Sequence, residues 1–108
     1  MVIKNNEVDM ATNLRVIEWL KTELLDAVST LFRSLLKNSK EMTADALATI
    51  IISTYLLGSR VGISFHTIDF IIKHKLNNSI NEVHEIEPWY GDLTELKQYM
   101  ESINQKKR

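Results

Sequence analysis

The first third of the chain has a helical pattern of apolar positions. From Asp9 to Lys37 there is neither proline nor glycine, and apolar residues recur at steps of three and four. That spacing predicts an amphipathic helix. Leu25, Phe32 and Leu36 widen the apolar stripe on one flank, which favours a bundle helix over a two-stranded coiled coil. The stripe itself comprises Leu14, Ile17, Leu24, Val28, Leu31 and Leu35.

The stretch from Glu41 to Arg60 predicts a second helix that is apolar on nearly every side. Such a helix has to be surrounded by other apolar surfaces, from this chain or from a second one. It has fewer than the roughly 20 apolar residues that a bilayer requires, and polar residues interrupt it, so we expect the central helix of a soluble bundle. Asn38 and Ser39 supply a break and a cap before it, and Gly62 can end it.

Two further helices are predicted after Gly62. Ser64 is a suitable cap for the third, and Asn77 with Asn78 is expected to end it. The segment 79–90 lacks helical spacing and contains the single proline, which indicates an irregular connection held in place by Trp89 and Tyr90. The fourth helix is expected to open at Gly91 and Asp92, with Asp92 and Glu95 as a capping box.

Four helices without strand-like alternation predict an all-α fold of the four-helix-bundle kind. We expect residues 1–108 to form one domain with frayed ends at 1–9 and 104–108. Because a four-helix chain has few surfaces with which to cover an all-round apolar helix, completion of the bundle as a homodimer or a higher oligomer is expected.

Composition excludes several functional classes. The net charge is −1, and the one basic run is at the carboxyl end, so no nucleic-acid-binding face is expected. The chain has no cysteine, which excludes disulfides and thiolate metal sites, and residues 1–10 lack the apolar core of a signal peptide. A cytoplasmic protein without a membrane anchor is the resulting expectation.

Two acid pairs are the strongest candidates for chemistry. Glu23 and Asp26 are three residues apart on the first helix, and Glu41 and Asp45 are four apart on the second. Facing acids from antiparallel helices can hold a hard divalent cation such as Mg²⁺, with its remaining waters open to exchange for phosphate. Two like charges 4 Å apart repel by about 4 kcal/mol at an effective dielectric of 20, so such a cluster implies a cation, nearby bases or raised pKa values.

The same acids have simpler explanations. Glu23 and Asp26 lie away from the apolar stripe of their helix, as solvated surface acids would. The neighbours of Asp45 are almost wholly apolar, which indicates a buried or interfacial carboxylate, although an acid early in a helix also interacts favourably with the helix dipole.

Lys73, Lys75, Asn77 and Asn78 form a polar stretch that can contact phosphates, or that simply ends a helix with lysines near its dipole. The three histidines lack a metal-ligand spacing such as H-E-x-x-H. No glycine-rich phosphate loop or nucleophile elbow is present.

The chain contains, in this order, EWLKTELLDAVSTLFRSLLKN, DALATIIISTYLLGSRVGISFHTIDFIIKHKL and HEIEPWYGDLTEL. These runs resemble the MazG-like family, a branch of the all-α nucleoside triphosphate pyrophosphohydrolase superfamily, over about Asn13 to Met100. The resemblance implies a site with an E-x-x-E pair on one helix and an E-x-x-D pair on the next, which hold magnesium. Enzymes of this superfamily cleave nucleoside triphosphates to monophosphate and pyrophosphate and work as dimers or higher assemblies.

The family pattern carries over in part. Glu23 and Asp26 resemble the first pair, with aspartate in place of the second glutamate, and Asp45 matches the closing acid of the second pair. The position three before Asp45 is Met42, and Glu41 lies one residue further back, rotated by about 100°. Lys73 or Lys75 and Asn77 or Asn78 resemble the phosphate-contacting end.

Two functions follow from this departure. The first is a pyrophosphohydrolase-related protein that binds or hydrolyses nucleoside triphosphates, with Mg²⁺ or Mn²⁺ held by Glu23, Asp26, Asp45 and Glu41. The second is a non-catalytic helical module that dimerises or binds a partner after losing the activity. The individual catalytic residue and the preferred base are not readable from the helical spacing.

Overall fold

The computed structural model describes residues 2–82 and 91–106, with side chains over 8–80 and 91–103. These residues contain four α-helices and no strand, which confirms the predicted all-α class and helix number. They form two compact units, residues 1–65 and 66–108, which are treated separately below. The helices are α1 (Val2–Leu36), α2 (Lys40–Arg60), α3 (Phe65–Glu82) and α4 (Asp92–Lys106).

A tight turn joins α1 to α2. Asn38 has a left-handed backbone with φ of 56°, and its amide donates to the Leu35 carbonyl at 3.2 Å. The amide of Ser39 donates to the Ser34 carbonyl at 3.1 Å, which completes a Schellman motif. The Ser39 side chain then accepts from the Met42 amide at 3.3 Å and caps α2, as predicted.

A second Schellman motif ends α2. Gly62 has φ of +90°, a conformation that costs glycine nothing, and its amide donates to the Ser59 carbonyl at 3.1 Å. The Ile63 amide donates to the Gly58 carbonyl at 2.8 Å. The predicted role of Gly62 in ending this helix is therefore confirmed.

In the first unit α1 and α2 pack antiparallel along a seam of mainly small residues. The buried side chains of α1 are spaced seven apart, and so are those of α2. Seven residues are close to two helical turns, so each set forms one line facing the other helix. The set comprises Leu20, Ala27 and Ser34 of α1 and Ala46 and Ser53 of α2.

Both ends of this helix pair are held by polar or aromatic contacts. At the turn, the Ser34 and Thr43 hydroxyl oxygens are 2.9 Å apart. At the other end, Asn13 donates from Nδ2 to the Arg60 carbonyl at 3.2 Å and accepts from Arg60 Nη1 at 3.3 Å. Tyr55 and Phe65 meet edge to face with ring centroids 5.9 Å apart.

The predicted apolar stripe of α1 is not the line buried in the single chain. Ile17, Leu24, Val28 and Leu31 are half-buried, whereas Leu14 and Leu35 are exposed. The flank residues Leu25 and Phe32 are 72% and 61% exposed. The buried line lies to one side because small side chains bring the backbones of α1 and α2 together, and leucine spacing alone does not reveal that.

The expectation that α2 is surrounded is not met within the single chain. Ala46 and Ser53 are its buried residues, while Ile51 and Ile52 are 56% and 58% exposed. Contrary to the prediction that it has too few apolar residues for a bilayer, α2 is by length and composition long and apolar enough to cross a membrane. Because core helices of soluble proteins have the same length and composition, this property alone does not assign α2 to a membrane.

Two predictions in the second unit were wrong. Asn77 and Asn78 do not end α3, which continues to Glu82. Asparagine disfavours a helix interior by well under 1 kcal/mol, so two of them cannot stop a helix without glycine or proline. In α4, Gly91 precedes the first helical residue and the Glu95 amide donates to its carbonyl at 2.9 Å, so Asp92 belongs to the first turn and is not the cap.

Other predictions concern regions that are not described or are untested. His84, Trp89 and Tyr90 lie outside the described residues. The backbone of α1 is helical from Val2, seven residues before the predicted start at Asp9. The single domain and the fraying of 1–9 and 104–108 remain predictions.

Candidate functional site

A cavity of about 160 Å³ lies between α1 and α2, and we call it the acid cavity. It brings together three carboxylates predicted as metal ligands, Glu23, Asp26 and Asp45, from positions up to 22 residues apart. The complete lining is Glu23, Asp26, Ala27 and Thr30 from α1 and Asp45, Ala46 and Thr49 from α2.

Helical spacing explains why these side chains share one side. On α1 the lining residues follow at steps of three, one and three, and on α2 at steps of one and three. Residues three and four apart are neighbours on a helix surface. Ala27 and Ala46 are buried on the seam, so they separate the carboxylates from the interior of the helix pair.

The carboxylates differ in exposure. Glu23 is half-buried, whereas Asp26 and Asp45 are exposed in the single chain. The prediction of a buried Asp45 is therefore not met within the chain, and the interfacial alternative remains a prediction. Because Asp26 and Asp45 are exposed, water screens part of the repulsion between the carboxylates of the cavity.

The carboxylates line one space but do not form a closed ligand set. Within residues 8–80 and 91–103, no three histidine, aspartate or glutamate side chains gather closely enough to hold a metal ion directly. The lining nevertheless supplies oxygen donors of the kind that Mg²⁺ and Mn²⁺ prefer. Because Mg²⁺ usually retains several waters, the donor set fits a hydrated cation better than a dehydrated one.

Glu41 is not part of this lining. It is an exposed acid in the first turn of α2, one turn before Asp45. Met42 occupies the position three before Asp45 and is 42% exposed. The second helix therefore contributes one carboxylate to the acid cavity, Asp45, and Glu41 is placed to interact with the helix dipole.

The residue spacing did not single out two threonines that line the acid cavity, Thr30 and Thr49, or an arginine bonded to one of them. Thr49 donates from Oγ1 to the Asp45 carbonyl at 3.1 Å, and Thr30 accepts at Oγ1 from Arg33 Nη2 at 3.2 Å. The signal was present in the spacing, because Thr30 follows Asp26 by four residues and Arg33 follows Thr30 by three. Their residue types alone did not distinguish them from ordinary helix surface.

The proposed phosphate-contacting residues lie on α3 in the second unit. Lys73, Lys75 and Asn78 are exposed, and Asn77 is half-buried. Because α3 continues past both asparagines, these side chains come from the body of a helix and not from its end. His66 and His74 are exposed on the same helix.

A second cavity, of about 560 Å³, lies at the turn between α1 and α2. It contains no carboxylate and none of the predicted site residues. Its lining comprises Leu35, Asn38, Ser39, Lys40, Thr43, Ala44 and Leu47.

Comparison with protein families matches residues 10–93 to the MazG-like family. Comparison with curated proteins and with solved structures gave no match. The matched range includes the acid cavity and extends over well more than half of the chain, in agreement with the resemblance carried by the EWLK, DALA and WYGDL runs. The chain therefore belongs to the MazG-like family.

Proposed function

We propose that this chain binds nucleoside triphosphates at the acid cavity, together with Mg²⁺ or Mn²⁺, and hydrolyses them. The observation that carries the proposal is that Glu23, Asp26 and Asp45 line one cavity although they come from two helices. Family membership supports a nucleotide pyrophosphohydrolase-related function in general. In this proposal the three carboxylates bind a hydrated cation through its waters, and Glu41, which lies outside the lining, is not a ligand.

The reaction would divide a nucleoside triphosphate into nucleoside monophosphate and pyrophosphate. The oxygen of a water molecule bonds to the phosphorus on one side of the oxygen that bridges the α- and β-phosphates, and the bond from that phosphorus to the bridging oxygen breaks. A bound divalent cation supplies charge neutralisation and polarises the phosphoryl group. A carboxylate of the acid cavity orients the water and takes its proton, which then passes to solvent. The phosphate contacts that the family resemblance implies for Lys73 or Lys75 and Asn77 or Asn78 stay a separate prediction.

We also propose that the working form is a homodimer or a higher oligomer. The support is the exposed apolar surface of the first unit, which includes Leu25, Phe32 and Leu36 of α1 and Ile51 and Ile52 of α2. Apolar surface of this extent on two neighbouring helices is typical of an interaction site. A second copy would supply the covering that the amino-acid pattern of α2 requires.

A non-catalytic module is the second candidate. Two observations favour it: Met42 stands where the family pattern has an acid, and the acids of the described residues do not form a closed ligand set. In this case the helix pair and the oligomer are retained, and the acid cavity binds a nucleotide without cleaving it or serves no ligand.

Pyrophosphate release tests the two candidates against each other. Wild-type protein is incubated with a panel of canonical and modified ribo- and deoxyribonucleoside triphosphates in the presence of Mg²⁺ or Mn²⁺, beside Asp45→Asn. Asp9→Asn, which changes an exposed acid of α1 outside the acid cavity, is the matched control. Release by wild type and Asp9→Asn, but not by Asp45→Asn, supports the hydrolase. Absence of release with every substrate and both metals favours the non-catalytic module.

A further inference from the structure

Arg33 is hydrogen-bonded to a residue that lines the acid cavity. Its Nη2 donates to Thr30 Oγ1 at 3.2 Å, and Thr30 lines the acid cavity with the three carboxylates. Arg33 itself is exposed and lies in the last turn of α1. The hydrogen bond therefore directs a guanidinium toward the side of α1 that carries Glu23 and Asp26.

The charge of a nucleotide bound at the acid cavity would have to be balanced by basic groups. Three carboxylates and one divalent cation leave a net negative charge, and a triphosphate adds several more. Binding such a ligand requires further positive charge beside the acid cavity. Among the side chains described for residues 8–65, Arg33 is the basic one that is hydrogen-bonded to the lining of this cavity.

Arg33 keeps most of its hydrogen-bonding capacity for a ligand. A guanidinium has five N–H donors, and the bond to Thr30 occupies one of them. Among the described residues no carboxylate forms an ion pair with Arg33, whereas Lys21 pairs with Glu18 at 2.9 Å. An unpaired arginine fork beside an acid-lined cavity matches the geometry of phosphate oxygens.

We propose that Arg33, positioned by Thr30, binds phosphate oxygens of the nucleotide in the acid cavity. This inference rests on the proposed function and adds to it a phosphate ligand from α1, on the same helix as two of the metal-binding acids. A favourable interaction with the dipole of α1 would also place a basic residue in this turn, but it would not depend on a ligand or on Thr30.

Calorimetric titration of the full chain tests the proposal. The probes are inorganic tripolyphosphate, adenosine α,β-methylene triphosphate and adenosine monophosphate, each with Mg²⁺. Wild type is compared with Arg33→Gln, Arg33→Lys and Lys21→Gln. The last variant removes an equal charge from a residue on another side of α1, and circular dichroism verifies the fold of each protein.

We expect Arg33→Gln to lower the affinity for tripolyphosphate and for the triphosphate analogue by a similar factor of about 10 to 100. The affinity for adenosine monophosphate should fall by a smaller factor. The affinities of Arg33→Lys should lie between those of Arg33→Gln and wild type, and those of Lys21→Gln should equal wild type. Thr30→Val should also lower the affinity for the same two probes. The double variant with Arg33→Gln should lose less binding free energy than the sum of the two single losses, because both substitutions disrupt one interaction.

Three results would overturn the proposal. Unchanged affinity of Arg33→Gln for tripolyphosphate, in a wild type that binds it, would remove Arg33 from the phosphate site and leave the proposed function intact. A loss confined to the adenosine probes would place Arg33 at the base. If wild type binds no probe with Mg²⁺, the proposed function and the role of Arg33 both fail.

Discussion

Ser34 and Thr43 join α1 to α2 through hydroxyl oxygens that lie 2.9 Å apart. Ser34 Oγ also lies 2.8 Å from the Leu31 carbonyl, and Thr43 Oγ1 lies 2.7 Å from the Ser39 carbonyl. Two hydroxyl protons therefore serve three short contacts, and Ser34 is fully buried. The pair forms a small polar network at the closed end of the helix pair.

Replacement of Thr43 by valine should destabilise the protein by about 1 to 2 kcal/mol, because it removes a partner of a buried hydroxyl while keeping the side-chain shape. Urea unfolding measures the change. Thr54→Val is the matched control, since Thr54 is an exposed threonine of α2 whose hydroxyl bonds only to the Ile51 carbonyl, at 2.8 Å. Equal losses for the two variants would argue against the Ser34–Thr43 bond as a stabilising contact.

Magnesium should stabilise the wild type against heat but not Asp45→Asn. If the acid cavity binds the cation, Mg²⁺ at about 100 times its Kd raises the free energy of unfolding by about 2.7 kcal/mol. Asp45→Asn removes the α2 carboxylate of the cavity and should abolish this gain, whereas Asp9→Asn should retain it. Differential scanning calorimetry with and without Mg²⁺ makes the comparison. An equal gain in Asp45→Asn would place the cation elsewhere.

Gly62→Ala should cost about 1 to 2 kcal/mol through backbone conformation alone. A methyl group at this position would meet no atom within 4 Å, so the cost arises from φ of +90° and not from a clash. Ser59→Ala, at an exposed position of the last turn of α2, should change the free energy of unfolding by less than about 0.5 kcal/mol. A Gly62→Ala protein as stable as wild type would show that the chain ends α2 in another way.

Phe32→Lys should dissociate the proposed oligomer without unfolding the chain. Because Phe32 is largely exposed in the single chain, a lysine there should leave the folded chain intact. In an oligomer that covers Phe32, the same lysine would bury a charge in the interface. Light scattering measures the mass, and circular dichroism verifies the helices. Thr12→Lys adds the same charge at an exposed polar position of α1 and should leave the mass unchanged. A wild type that is monomeric at micromolar concentration would contradict the oligomer.

The two ends of α2 were predictable because they depend on local chemistry. The cap at Ser39 and the left-handed Gly62 follow from the intrinsic preferences of serine and glycine, and both are present. Asn77 and Asn78 misled the prediction because asparagine favours an end only where the rest of the chain also permits one. The spacing of Glu23, Asp26 and Asp45 suggested one site, and the structure brings them to one cavity.

Other features depend on how α1 and α2 meet in space, and no spacing rule gives that. The burial of Ser34 and Ser53 is one example, since leucines appeared the better candidates for the core. The association of Arg33 with the acid cavity is another, because it passes through the side chain of Thr30. The helical period gives the face of a helix on which a residue lies. Packing against the neighbouring helix determines which of these residues are buried.

The alanines on the seam also limit how the chain can vary. Packed helices stand about 8 to 10 Å apart, and small contact residues favour the closer spacing. Ala27 and Ala46 lie beside the carboxylates on α1 and α2, so a larger residue at either position would push the helices apart. The carboxylates of α1 and α2 would then move apart, although none of them had been replaced. Substitutions at these alanines therefore change the width of the acid cavity as well as the stability of the helix pair.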